Sequence, residues 1–305
     1  MSDVPAVAAL VGPTAVGKSV AGAAVAERLG AEIVSVDSMQ VYRGLDAGTA
    51  KPPLGLRAAV PHHLIDIIEP SHELSVAEFQ ALARAAITAI SERGNLPLLV
   101  GGSGLYFRAV VDDLSFPPRS AELRRALEAE AVAAGNSALH QRLAALDPSA
   151  AARIEPSNLR RVVRALEVVE LTGRPFSAGY SWEGYSSVYR LAVAGLELDR
   201  ARLRELISAR VEGMFARGLA AEARELASHD LSCTARQALG YRQLLEDEGA
   251  APEELRDRIV TATARFARRQ MSWFKADPRV VWFDASREDL VETLTGHFRS
   301  CLRLP

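Results

Sequence analysis

The sequence predicts an α/β protein: a mostly parallel sheet flanked by helices, with an inserted all-α subdomain. Three observations carry this. Apolar runs of strand length recur at residues 6–11, 32–36, 96–100 and 190–198. Helical patterns separate the earlier runs, and strands alternating with helices build parallel βαβ units. From 120 to 173 the pattern is helical throughout, with breaks at Gly135-Asn136 and Asp147-Pro148 and no strand between.

The first run leads into Gly12-Pro13-Thr14-Ala15-Val16-Gly17-Lys18-Ser19, which fits G-x-x-x-x-G-K-[ST] at every fixed position. An Ala-rich helix over 20–29, closed by Gly30, comes next. Strand, glycine loop and helix together are the context of a phosphate-binding loop and place it in a P-loop NTPase-like core. Gly12 and Gly17 let the loop curl so that its N–H groups form an anion nest. The helix start adds its positive end. Lys18 adds a point charge, and the Ser19 hydroxyl is suited to a Mg2+ bound to the phosphates. The motif specifies a phosphate chain, not ATP.

The chain's 305 residues allow one large domain or a core with an insertion. A net charge of −2 excludes a protein that is basic all over, but not a local basic face. No apolar run approaches the roughly 18 residues that cross a membrane. Met1-Ser2-Asp3-Val4-Pro5 lacks the basic start of a signal peptide. Cysteine occurs only at 233 and 301, too few for a disulfide framework or a zinc site. A monomer in a reducing cytoplasm is expected. Of the 36 basic residues 33 are Arg; Lys stands only at 18, 51 and 275. An ammonium retained against that trend suits a place where a guanidinium does not fit, as at Lys18; for Lys51 and Lys275 survival by drift is an equal reading.

The second run, 32–36, ends in Asp37-Ser38-Met39-Gln40-Val41-Tyr42. A carboxylate at a strand tip beside the phosphate loop projects into the crevice where open α/β sheets bind ligands. Asp37 there can hold metal, act as a base, or simply cap the next turn. Gly48-Thr49-Ala50-Lys51-Pro52-Pro53 is a loop. His62 and His63 are adjacent in an extended segment and point to opposite faces, so a wall or structural role suits them better than shared metal ligation. Ser75 and Glu78 read as a capping box opening a helix over 75–93. The third run leads into Gly101-Gly102-Ser103-Gly104-Leu105-Tyr106, a bare turn that a ligand can approach closely, with Ser103 its one polar side chain. Packing alone would also ask for such a turn.

The inserted helices carry Arg160, Arg161 and Arg164 within one-turn reach of each other, either a phosphate-contacting face or a solvated one. After the fourth run a long helix over 201–217 holds Arg210. The segment from Ala235 to Arg242 mixes Tyr241 with Arg236, Arg242 and Gln237, suited to stacking and hydrogen bonding with bases. A helix from Pro252 to about 274 ends in Arg268-Arg269-Gln270-Met271-Ser272-Trp273-Phe274-Lys275, basic residues interleaved with aromatics. A short strand over 280–283 and a helix over 288–302 finish the chain. The core is therefore expected at 1–118 and 188–305, and the insertion at 119–187.

Taken together in order, the phosphate loop, Asp37 to Tyr42, Gly48 to Pro52, His62 to Asp66, Gly101 to Tyr106, Arg164 to Glu167, Gly240-Tyr241 and Arg268 to Trp273 resemble the tRNA dimethylallyltransferase family over nearly the whole chain. The resemblance implies transfer of a dimethylallyl group from dimethylallyl diphosphate to N6 of the adenosine beside the anticodon. It implies diphosphate, not ATP, in the phosphate loop, with Mg2+ on Ser19. It implies Asp37 and Ser103 against the flipped adenine and Arg210 on the diphosphate. For the anticodon stem-loop it implies Asp37, Ser38, Met39, Gln40, Ser103, Arg124, Arg160, Arg161, Arg164, Gln237, Gly240, Tyr241, Arg242, Arg268, Arg269, Gln270, Trp273 and Lys275. Ser103 and Ser272 stand where the family commonly carries Thr, and each keeps the hydroxyl. A small-molecule kinase, an AMP isopentenyltransferase and a non-enzymatic RNA-binding module are the rival readings. The basic patches count against the first two, and Asp37 with Ser103 against the third.

Overall fold

A computed structural model of the protein describes residues 4–178, 184–247 and 249–304. Met1 to Asp3 and 179–183 of the expected insertion lie outside the described residues. The chain divides into two compact units, Met1–Leu114 with Ser186–Pro305, and Ser115–Tyr185.

The first unit holds six strands: β1 (Ala6–Val11), β2 (Ala31–Val36), β3 (His62–His63), β4 (Leu96–Gly101), β5 (Arg190–Glu197) and β6 (Val280–Asp284). Their order is β3-β2-β4-β1-β5-β6, and every pairing is parallel, a P-loop NTPase-like core. Both faces are covered, so the two central strands, β4 and β1, are apolar at every position. Along β1, Val7, Ala9 and Val11 join one core while Ala8 and Leu10 join the other. Helices Lys18–Leu29 and Leu290–Leu302 pack on the second face, helices Val76–Glu92, Gly104–Val111 and Pro252–Lys275 on the first. The helices that come after adjacent β1 and β4 thus leave to opposite faces, and a crevice opens at the carboxyl ends of those strands. Val11 and Val36 both stand level with Gly101, which sets three strand-end turns side by side. A Cβ at Gly101 would run into the Val36 carbonyl, so only glycine permits this approach.

Ser75 caps its helix by accepting the Glu78 N–H at 3.1 Å. The Glu78 carboxylate pairs with His72 at 2.8 Å, so the expected box is half made. Lys51 donates to the Tyr42 carbonyl at 2.6 Å and to Asp46 at 2.5 Å, and pairs with Asp66, its side chain 2% exposed. Three acceptors around one buried ammonium suit lysine rather than arginine.

The second unit has helices Ala121–Ala134, Asn136–Leu146, Pro148–Ala151 and Leu159–Thr172 around a core of Leu127, Leu139, Leu143, Val162 and Leu166. Glu167 is fully buried and accepts from the Ser120 N–H, Arg124 and Arg164. Arg164 also donates to the carbonyls of Pro117 and Pro118. It is therefore part of this unit's frame rather than of the basic face with Arg160 and Arg161, because a buried carboxylate demands a paired cation. Where the chain leaves and rejoins the first unit, Asp113 N–H meets the Ser186 carbonyl at 3.2 Å and Val188 N–H the Val111 carbonyl at 2.9 Å.

Glu32 on β2 anchors the opposite end of the sheet. Arg93, Asn95 and His63 surround it at 2.7, 2.8 and 2.7 Å. Hydrogen bonding from Arg93, then Asn95 and His63, holds its carboxyl at about 2, against an ordinary 4.5. The folded value is the lower one, so this stability is present above 4.5 and lost as pH falls through about 2. Glu32→Gln should lower the thermal midpoint by roughly 2–5 °C at pH 7, and the gap from the parent should close by pH 2.

Candidate active site

The strand-end turns frame a cavity of about 560 Å³. The phosphate loop forms one wall. Its curl needs positive φ at Gly12 (142°), Ala15 (67°) and Gly17 (96°). Glycine adopts this freely, whereas Ala15 is strained by an amount of order 1 kcal/mol. Gly17 ends the loop at the start of helix Lys18–Leu29, whose first residues, Lys18 to Val20, line the same space. Lys18 Nζ donates to the Pro13 carbonyl at 2.6 Å. Burial, then the neighbouring Arg210 charge, push its ammonium down to about 7, and Asp37 opposes them. Arg210, from helix Arg200–Ala216, also lines the cavity, and its buried Nε has no hydrogen-bond partner. Two close cations, one with an idle donor, make a site that an anion would relieve.

Asp37 comes directly after β2, and its Oδ1 accepts the Met39 N–H at 2.9 Å, which fixes the carboxylate's direction. Ser103 precedes helix Gly104–Val111 and makes no side-chain cap bond. Both line the cavity, as do Ser38, Met39, Gln237, Arg242 and Arg269. Met39, Val100, Met214 and Ile259 give part of the lining an apolar character. Gln40 lines it too, but its amide is committed: Ser35 Oγ donates to it at 2.9 Å, and it donates to the Thr49 and Ala50 carbonyls at 3.3 and 3.4 Å.

Other expected contacts lie elsewhere. Tyr241 is 1% exposed, so it is not a stacking platform. Its hydroxyl donates to Glu222 and accepts the Gly48 N–H at 2.9 Å. Burial, then Glu222, push its phenol far above the ordinary range. Gly240 is buried beside it. Glu222 also accepts from the N–H groups of Asp46 and Ala47 at 2.6 and 3.0 Å, so the pair holds the loop over the cavity. Lys275 pairs with Glu197 at 2.6 Å and sits 4.5 Å over the Trp282 ring, a surface clamp that an arginine would serve equally. Arg268 is exposed and Trp273 is 39% exposed. Arg160 and Arg161 are exposed on the second unit, where Arg124 is bound to Glu167. Gln270 does line the cavity, but it is buried and bonded to backbone at both ends of its amide. Among the described residues no three His, Cys, Asp or Glu side chains converge to bind a metal. None of the described helices is long and apolar enough to cross a membrane.

Comparison with known proteins agrees on one family. The IPP transferase profile matches residues 40–277, and an isopentenyl transferase profile matches 5–56. A tRNA dimethylallyltransferase of Salinispora tropica is 53% identical over 289 residues, 93% of this chain and 90% of the relative. One from Streptomyces avermitilis is 50% identical over 94% of this chain and 93% of its own. The solved tRNA isopentenylpyrophosphate transferase of Bacillus halodurans superposes with a TM-score of 0.73 at 40% identity, covering 99% of this chain and 97% of that one. At such identity over nearly its whole length, and with the IPP transferase profile spanning most of it, the chain belongs to the tRNA dimethylallyltransferase family.

Proposed function

We propose that the protein transfers the dimethylallyl group of dimethylallyl diphosphate to N6 of the adenosine 3′-adjacent to the anticodon in tRNA. The observation that carries this is the buried, unpartnered Arg210 Nε beside Lys18, in the same cavity as Asp37 and Ser103. In the reaction the allylic C–O bond breaks, the N6–C bond forms, and diphosphate leaves with the bonding electrons. Asp37 accepts the proton lost from N6, a general-base effect of roughly 10² to 10⁴. The loop amides, Lys18 and Arg210 hold the leaving diphosphate where its charge develops. The Ser103 hydroxyl hydrogen-bonds the adenine, and the apolar lining takes the prenyl chain. Ser38, Met39, Gln237, Arg242 and Arg269 receive the anticodon loop at the cavity, with Arg268, Arg160 and Arg161 on the phosphate backbone. Taking the base out of a loop costs less than opening a duplex.

The donor set fits Mg2+ only as a partner of the diphosphate: Ser19 and the phosphate oxygens would hold it, since the described residues offer no converging acidic cluster. When bound, the ion adds positive charge to the leaving group. The compartment proposed with this function is the cytoplasm, where exposed thiols such as Cys233 and Cys301 stay reduced.

Labelled dimethylallyl diphosphate offered with either tRNA or AMP tests the function: label should enter tRNA alone, and label in AMP instead would overturn the acceptor. Asp37→Ala should cut transfer to an anticodon stem-loop at least about 100-fold while RNA binding stays within several-fold; sustained turnover would remove the base. Lys18 sets the pH dependence. The free ammonium is neutral above about 7, whereas the diphosphate-bound one is charged. Diphosphate affinity should therefore fall as pH rises beyond 7, with proton uptake on binding visible calorimetrically in buffers of different ionisation enthalpy.

A further inference from the structure

The last turns of helix Pro252–Lys275 lie against both glycine turns. Gln270, 6% exposed, uses both ends of its amide there. Its Oε1 accepts the Thr14 N–H at 2.8 Å, and its Nε2 donates to the Gly102 carbonyl at 2.9 Å. The first bond enters the phosphate loop one residue before strained Ala15. Such a conformation persists only where the surroundings hold it. The second enters the other turn one residue before Ser103. Bare backbone makes room: a Cβ on Gly102 would run into Gln270 Nε2, and one on Gly104 into the Trp273 ring. Phe274, fully buried and edge-on to Phe107 at 5.8 Å, fixes this end of the helix to the core.

We propose that Gln270 is a positioning residue that ties the phosphate loop to the turn bearing Ser103, so that leaving group and acceptor base keep a fixed separation. The identity of those two ligands rests on the dimethylallyl-transfer reading; the tie itself does not. Only glutamine meets the requirement. A carboxylate would set a second acceptor against the Gly102 carbonyl, a lysine offers no acceptor, and asparagine is a methylene shorter. A neutral amide also leaves the field of Lys18 and Arg210 unchanged. With both amide ends turned to backbone and the residue 6% exposed, little of Gln270 faces outward for an RNA.

Gln270→Met keeps the length and removes both bonds. Three readouts apply, with thermal unfolding as the check on folding: hydrogen exchange at the Thr14 amide, affinity for inorganic diphosphate without RNA, and single-turnover transfer at saturating donor. Thr14 should exchange at least tenfold faster and diphosphate bind about tenfold more weakly, with the single-turnover rate falling more than RNA affinity. Gly102→Ala displaces the same amide and serves if the Met variant does not fold. Combined with Gln270→Met it should add little, since both break one tie. Unchanged Thr14 exchange would overturn the proposal, as would unchanged diphosphate affinity with only RNA affinity reduced. Absence of prenyl transfer by the parent protein would sink the transfer reading alone, because Thr14 exchange still decides the role of Gln270.

Discussion

Parallel pairing in register is the constraint on which the rest of the structure depends. β4 lies between β1 and β2, and Gly101 stands opposite both Val11 and Val36. Three strands therefore finish at one level, and the turn after each of them is delivered to the same crevice. Strand direction decides which end that is; the residues after the strands decide what it can hold. The carboxyl end receives the phosphate loop, Asp37 and Ser103. The other end has Glu32 in a closed set of partners that leaves nothing over for a ligand.

That contrast separates structural from functional electrostatics. Glu32, Glu167 and Asp66 are each matched by the cations around them. These networks are complete without help from outside, as the burial of Glu32 and Glu167 requires. Lys18 and Arg210 are not matched: two cations face one carboxylate, and a buried guanidinium donor is idle. The mismatch lies beside an anion nest with its strain already built in, so charge and shape both wait for the same ligand.

The sequence made the buried strands legible because parallel strands covered on both faces are apolar nearly throughout, as β1 and β4 are and as β2 is apart from Glu32 and Ser35. β3 has two residues, too few for any period, and helices Leu54–Ala59 and Tyr241–Glu246 are too short to show one. In the site, the phosphate loop is local chemistry in consecutive residues and could be read directly. Gln270 bonds to backbone 256 and 168 residues away, and such a bond leaves no local pattern. Tyr241 misleads for a related reason. A tyrosine among arginines looks the same whether it stacks on a base or fills a core, and only the closeness of Gly48 to its ring decides. The scarcity of lysine pointed to Lys18 and Lys51, both held by carbonyl acceptors in tight quarters. It carried no such meaning for Lys275 on the surface.

The closure between Asp113 and Ser186 has a consequence for how the chain folds. β5 joins the sheet only after the inserted unit Ser115–Tyr185 has been spanned, and closing so long a loop is slow as well as entropically costly. The inserted helices, however, bury their own core and draw their carboxylates' partners from within. Once they collapse, the stretch to be closed contracts from a flexible loop to the few residues on either side of a compact body. The insertion thus acts on the folding kinetics of the core by shortening the search that completes its central strand pairing.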